Sequence, residues 1–381
     1  MIHLDIYLEE KFSNNRKVIL NGSIQEMEGE HKICNIIKND ENFKQHNLVI
    51  YGLDADLFML GLLLHKNGNN IYLYKETRHF DYINNIDSNE LYYFDIQTFS
   101  EHLALKLNNE KNQAICDYCL LAFLCGNDFL PHLYSINIRN NGISYIIDKY
   151  LELDGQQNPL INIETGNINW KHFRKYFLLL IENETEKLLE NLEWKIGLKS
   201  RVRALNNNDK LELLPCMDNE KEIYLSKNID DFENLIYCNT NVKEMSKNYI
   251  EMIEWTWYYY YNNNVKDNSK FYKYSESPLL KDIIIYIPVI NSETILNTTQ
   301  DYNNINMNTL LFYVIPFDEQ KQIVRRKIYD KVSNIIYDKM PLIKETNYEI
   351  DYFLCKYFWE GHLKINHIDI FELNSIIIDN I

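Results

Sequence analysis

Glycine and proline are scarce, 11 and 7 residues in a chain of 381. Few breakers of regular structure remain, and long helices are favoured. No run is long and apolar enough to span a bilayer. The first residues lack the basic stretch leading into an apolar one that marks a secretory signal. No P-loop, Rossmann glycine pattern or GxSxG elbow occurs, so nucleotide-cofactor and serine-hydrolase chemistries have no support. Positive charge is short, 39 Lys and Arg against 55 Asp and Glu, for a net charge of −16. That balance argues against a protein that coats nucleic acid nonspecifically. The seven cysteines are odd in number and scattered through apolar runs, the usage of a reducing compartment. Cys116-Asp117-Tyr118-Cys119 has CxxC spacing but no second pair, and reads as buried small hydrophobes. The expectation is an intracellular chain, cytoplasmic or nuclear (in host cytoplasm if viral), with no membrane partner.

What is present is a globular composition, 46% hydrophobic and 25% charged, long enough for two or three domains. Lys17 to Leu20, closed by Asn21-Gly22, predicts a short strand. A helical pattern follows from Glu30, with Ile33, Ile36 and Ile37 on one face. Leu48 to Leu53 predicts a strand buried on both faces. Leu57 to Leu64 predicts a buried helix, and Asn70 to Tyr74 a third strand. The order βαβαβ predicts a partial parallel sheet, an α/β core over residues 1–108. From 109 to 381 the character is mostly helical, with helices over Ala114–Leu124, Ile143–Leu153, a long one over 170–194, and an aromatic one over Asn248–Tyr261. In that last helix, core packing is favoured over base stacking for Trp255, Trp257 and Tyr258 to Tyr261. Residues 204–240 read as a polar surface loop, and residues 291–308 as Asn/Thr-rich.

Two carboxylate pairs share an i, i+2 spacing, Glu28-Gly29-Glu30 and Asp54-Ala55-Asp56, and a fifth acid, Asp128, follows in Gly126-Asn127-Asp128-Phe129-Leu130-Pro131-His132. Gly29 would allow a sharp turn. Asp54 and Asp56 would share one face of extended backbone beyond the strand, where α/β sheets bind ligands. Each pair alone is ambiguous, because acids meet the helix dipole and Asp is a common N-cap. Together they point to chemistry, since gathered like charges repel while hard Mg²⁺ seeks oxygen ligands. Two such ions clamp the attacking and leaving oxygens of a phosphodiester. The residues therefore predict a metal-dependent nuclease. His31 and His132, each beside an acid, are candidates for orienting a carboxylate or touching phosphate, with a supporting or simply structural role favoured for both. Lys195, Lys199, Arg201 and Arg203 form one candidate basic patch, and Lys321, Arg325, Arg326 and Lys327 another.

The blocks Glu28-Gly29-Glu30-His31-Lys32-Ile33, Tyr51-Gly52-Leu53-Asp54-Ala55-Asp56-Leu57 and Gly126 to His132 resemble signature blocks of the Xrn family of 5′→3′ exoribonucleases. Similarity continues through Ile138 to Ile143, Ser277 to Ile283, and Phe358-Trp359-Glu360-Gly361. The resemblance implies Mg²⁺, with Mn²⁺ as a substitute, held by Glu28, Glu30, Asp54, Asp56 and Asp128. Asp128 would reach back to that site from the helical domain. It implies hydrolysis of single-stranded RNA bearing a 5′-monophosphate to 5′-mononucleotides. The chain departs from the family in starting about 27 residues before Glu28, where the family carries further acids and a basic 5′-phosphate pocket. The expectation is a truncated product or one part of a split enzyme, with a separate polypeptide supplying that half. It departs again at Asn268 to Tyr274, where the family's base-stacking tryptophan is absent and Phe271 or Tyr272 is the candidate replacement. Two alternatives stand beside this reading, a catalytically impaired RNA-binding or structural fragment and a flap-endonuclease-like DNA nuclease.

Overall fold

The computed structural model describes residues 19, 27–52, 54–75, 87, 90–238, 240–262, 270–290, 295–296, 305–344, 349–364 and 368–381. The strand expected at Lys17–Leu20 therefore lies outside the described residues, apart from Ile19, and so does most of 291–308. Contacts divide the chain into two units. One comprises residues 1–119, 163–166 and 257–264, and the other 120–162, 167–256 and 265–381. The first unit runs to residue 119, and two short distal segments join it.

In the first unit, His31, Cys34 and Ile37 recur at three-residue intervals and form the buried stripe of α1 (Gly29–Asn39). Ile33, expected on that face, is exposed. β1 (Asn47–Tyr51) follows, then α2 (Asp56–Lys66), whose side chains from Leu60 to Leu64 are all buried. A helix this apolar all round is stable only inside a core. It packs on α1, on β2 (Asn70–Tyr74) and on α3 (Ile96–Leu107). β1 and β2 pair in parallel, as the crossover through α2 requires. β3 (Tyr93–Asp95) joins the other side of β2 antiparallel. The described sheet is thus mixed, β1-β2-β3, in which the two described strands of the expected three pair in parallel and β3 is an additional antiparallel one. Three residues of β3 are too few to show a period in the sequence. β1 is also not buried on both faces, since Leu48 and Ile50 face inward while Val49 and Tyr51 are exposed.

α4 (Lys111–Ala122) carries Cys116 and Cys119, buried and unpaired as expected, and burial pushes the Cys116 thiol up to about 12. The second unit is helical. It contains α5 (Gly142–Glu152), α6 (Trp170–Ile181) and α7 (Glu184–Arg201). The single long helix expected over 170–194 breaks at Asn183, whose φ of −113° and ψ of 10° leave the helical region. Residues 204–240 are not a loop but short helices, including α8 (Asn207–Glu212), α9 (Glu220–Leu225) and α10 (Phe232–Tyr237). Leu225, Phe232 and Ile236 pin α9 and α10 to a core with Leu188, Leu192 and Phe353. α11 (Val242–Asn262) begins in this unit, and its residues from Trp257 on count with the first. α12 (Leu280–Ile283), α13 (Met307–Val314), α14 (Phe317–Ile323) and α15 (Arg326–Lys339) follow. The hairpin of β4 (Glu349–Asp351) and β5 (His362–Lys364) and the last helix, α16 (Ile370–Asn380), complete the unit. No described helix is long and apolar enough to cross a membrane.

Candidate active site

Both acidic pairs sit at helix N-termini, where exposed N–H groups favour negative charge. Glu28 is the N-cap of α1, in extended conformation (φ −70°, ψ 159°), and its carbonyl accepts from Lys32 N at 3.0 Å. Glu30 lies in the first turn. Gly29 needs no special backbone, because a Cβ there would meet nothing within 4 Å and its φ is not in the left-handed region. Asp54 is exposed, Ala55 is already helical (φ −68°, ψ −25°), and Asp56 is the first residue of α2. The expectation of two aspartates sharing a face of extended backbone is therefore corrected, since the helix starts between them.

The last turn of α11 supplies what the sequence reading missed. The Tyr259 hydroxyl donates to Glu28 Oε2 at 3.1 Å, and the Tyr260 hydroxyl donates to Asp56 Oδ2. His31, 1% exposed, lies between them. Its ring stacks on Tyr259 at 3.8 Å and meets Tyr260 edge-on at 5.2 Å, with Nε2 3.8 Å from Glu28 Oε2. Burial, reinforced by the Glu28 charge, raises the Tyr259 pKa, so the phenol stays protonated and donates. The turn is itself held in place. Trp257 Nε1 donates to Gly166 O at 2.7 Å and its ring stacks on Tyr261. Lys38 Nζ donates to Tyr261 O at 3.0 Å, and Lys66 Nζ to the Tyr261 hydroxyl at 3.2 Å. One member of each acidic pair is thereby tied to adjacent residues of one helix turn. The available signal was the tyrosine run itself, because buried phenols need acceptors.

Among the described residues no group of three or more His, Cys, Asp or Glu side chains stands close enough to hold a metal ion. The donors at hand are hard carboxylate oxygens. They suit Mg²⁺, which binds through one or two carboxylates and keeps several waters.

Asp128 belongs to the second unit and is exposed at the tip of a tight loop. Asn127 N donates to Leu130 O at 2.9 Å, and Asn127 Oδ1 accepts from Phe129 N at 2.9 Å. Gly126, at φ +90°, is required there, because a Cβ would lie 2.9 Å from His132 N. The Nε2 of His132 is buried without a partner, and burial, with His362 nearby, pushes its pKa down to about 4 against the pull of Glu360, in keeping with the structural role favoured for it. The ring is neutral at pH 7.

The two basic patches differ. Lys195 is fully buried, donating from Nζ to Pro215 O and Cys355 O at 2.5 Å each, and so leaves the surface patch. Lys199, Arg201 and Arg203 are exposed, as are Lys321, Arg325, Arg326 and Lys327. Tyr272 is not a stacking residue. Its hydroxyl donates to Glu276 O at 2.7 Å and its ring packs edge-on against Tyr249. Trp255, Trp257, Tyr259 and Tyr260 are buried, as expected for a core helix.

Comparison with known proteins bears on the same segments. Residues 1–77 match the family model described as the XRN 5′-3′ exonuclease N-terminus, and residues 108–212 the one described as the Xrn1 helical domain. The chain is 26% identical to 5′-3′ exoribonuclease 1 of Homo sapiens over 352 residues, covering 74% of this chain and 20% of that protein. It is 32% identical to 5′-3′ exoribonuclease 1 of Schizosaccharomyces pombe, over 51% of this chain and 15% of that protein. It is 31% identical to 5′-3′ exoribonuclease 2 of Kluyveromyces lactis, over 38% and 18%. The chain thus spans a fifth or less of these three relatives.

Proposed function

We propose that this chain, which belongs to the Xrn family of 5′-3′ exonucleases, hydrolyses single-stranded RNA from its 5′ end to 5′-mononucleotides, inside the cell and with Mg²⁺ or Mn²⁺. Glu28, Glu30, Asp54 and Asp56 are its carboxylates in the first unit. Asp128 joins the proposal on the strength of its motif, Gly126 to His132. The observation that carries the reading is the pair of tyrosine hydroxyls on Glu28 and Asp56. A hydroxyl donor fixes the orientation of a carboxylate without neutralising it, which suits a group that holds a cation and does not suit a simple surface acid. His31, packed against both rings, sets the spacing of the two donors. A bound divalent cation would supply Lewis-acid stabilisation of the charge developing on the phosphodiester.

The test is digestion of RNA carrying either a 5′-monophosphate or a 5′-hydroxyl, with Mg²⁺ or with a chelator. Mononucleotides should be released only with the metal, and Asp54→Asn with Asp56→Asn should abolish the release. Digestion that survives chelation or the double substitution overturns the proposal.

A further inference from the structure

The chain has five tryptophans. Trp170, Trp255 and Trp257 are buried and Trp194 is half-buried, but Trp359 is 70% exposed. It lies on the short turn Phe358–Glu360 in the second unit. Its ring is parallel to that of Tyr357, with an interplanar angle of 9° and centroids 5.7 Å apart. The Arg139 guanidinium carbon is 4.8 Å from the Tyr357 centroid and 5.6 Å from that of Trp359. With Trp359 70% exposed, most of the indole stays open to solvent beside the arginine. Lys356 Nζ is also 4.8 Å from the Tyr357 centroid.

This arrangement is held rigidly. Glu360 Oε2 accepts from Lys356 N at 2.7 Å and Tyr357 N at 3.1 Å, while its Oε1 accepts from Arg139 Nε at 2.6 Å. One carboxylate thus fixes both the turn that carries the rings and the arginine beside them. Such rigidity is unnecessary for a stray surface aromatic. It is what a stacking surface requires, because little freedom is lost when a planar ligand settles on it.

We propose that the outer face of Trp359, backed by Tyr357 and flanked by Arg139 and Lys356, stacks a base of single-stranded RNA. A flat exposed indole receives any base, and adjoining cations meet the backbone phosphates. A proline-rich peptide fits less well, because it docks in a groove between aromatic ridges and these two rings are closed against each other. The inference rests on the proposed ribonuclease reading and assigns it an RNA contact in the second unit. In a chain of net charge −16, such a local contact is how RNA would be held.

The experiment measures binding of a fluorescent single-stranded oligoadenylate to the full chain by anisotropy, in EDTA so that no hydrolysis intervenes. An abasic oligonucleotide of equal length is the control. Trp359→Ala should weaken oligoadenylate binding by roughly 5- to 150-fold, the range that one stacked base spans. Trp359→Phe should retain most of the affinity, and all three proteins should bind the abasic strand equally. Unchanged oligoadenylate binding by Trp359→Ala overturns the inference, as does an equal loss on the abasic strand. If the wild type digests RNA while Trp359→Ala binds normally, this inference falls and the nuclease reading stands. If Trp359-dependent binding holds but no digestion is found, the reverse is true.

Discussion

The Tyr260 hydroxyl donates a hydrogen bond to Asp56 Oδ2 across 204 residues of sequence. Tyr260 is fully buried, so its phenol donates away from water to a carboxylate at a helix start. Hydrogen bonds to charged groups are among the stronger ones in folded proteins.

Tyr260→Phe should accordingly lower unfolding free energy by about 1.5–3 kcal/mol. In a cycle with Asp56→Ala the two changes should couple by about 0.5–3 kcal/mol. Urea denaturation of the four proteins checks both numbers. Strict additivity would show that the bond carries no energy.

Divalent cations should stabilise the fold. At a Mg²⁺ concentration 100 times the dissociation constant, binding adds about 2.7 kcal/mol, read as a rise in Tm. Asp54→Asn combined with Asp56→Asn should remove that rise. A Tm increment that persists in the double variant would place the cation elsewhere.

Lys195 separates a structural cation from a nucleic-acid contact. Lys195→Met removes the ammonium donor from the Cys355 carbonyl and from the Pro215 carbonyl, which keeps Asp218 N at 3.2 Å, and should lower stability by about 1.5–3 kcal/mol. The dependence of RNA affinity on salt should keep its slope, because no phosphate contact is lost. A shallower slope in the variant would return Lys195 to the surface patch.

Glu184 gives the fold a pH dependence. Burial raises its pKa from the ordinary 4.5 to about 7, against the Leu280 and Lys281 N–H donors that lower it. Between those values the folded state keeps a proton that the unfolded chain has lost. Unfolding free energy therefore declines as pH rises from 4.5 to 7, by about 3 kcal/mol in all. Glu184→Gln should flatten that part of the pH–stability curve. A variant curve parallel to the wild type's would assign the slope to another group.

The helix starts at Glu28 and Asp56 were legible because apolar periodicity resumes immediately after each acid. The helix of Leu57 to Leu64 and the strand of Asn70 to Tyr74 were legible for the same reason. β3 was not, because Tyr93–Asp95 is set by pairing with β2 and not by any pattern of its own. The short helices of 204–240 were missed because their core residues, Leu225, Phe232 and Ile236, stand apart in a polar sequence and show no sustained stripe. For the site, the acids were readable and their partners were not. Tyr259 and Tyr260 were read correctly as core, yet a hydroxyl's acceptor is decided by tertiary contact. Lys195 looked like its charged neighbours because burial at one helical position leaves no trace in composition.

The separation between Asp56 and Tyr260 also has a meaning in time. At roughly 5–20 residues per second, a ribosome needs on the order of 10–40 s to make the 204 residues between them. For that interval the nascent chain carries Glu28 and Asp56 without the hydroxyls that orient them in the finished fold. The acidic half of the candidate site is thus made early and left unset. It acquires its native geometry only after the last turn of α11 has been synthesised, so the order of synthesis delays the site until most of the helical part exists.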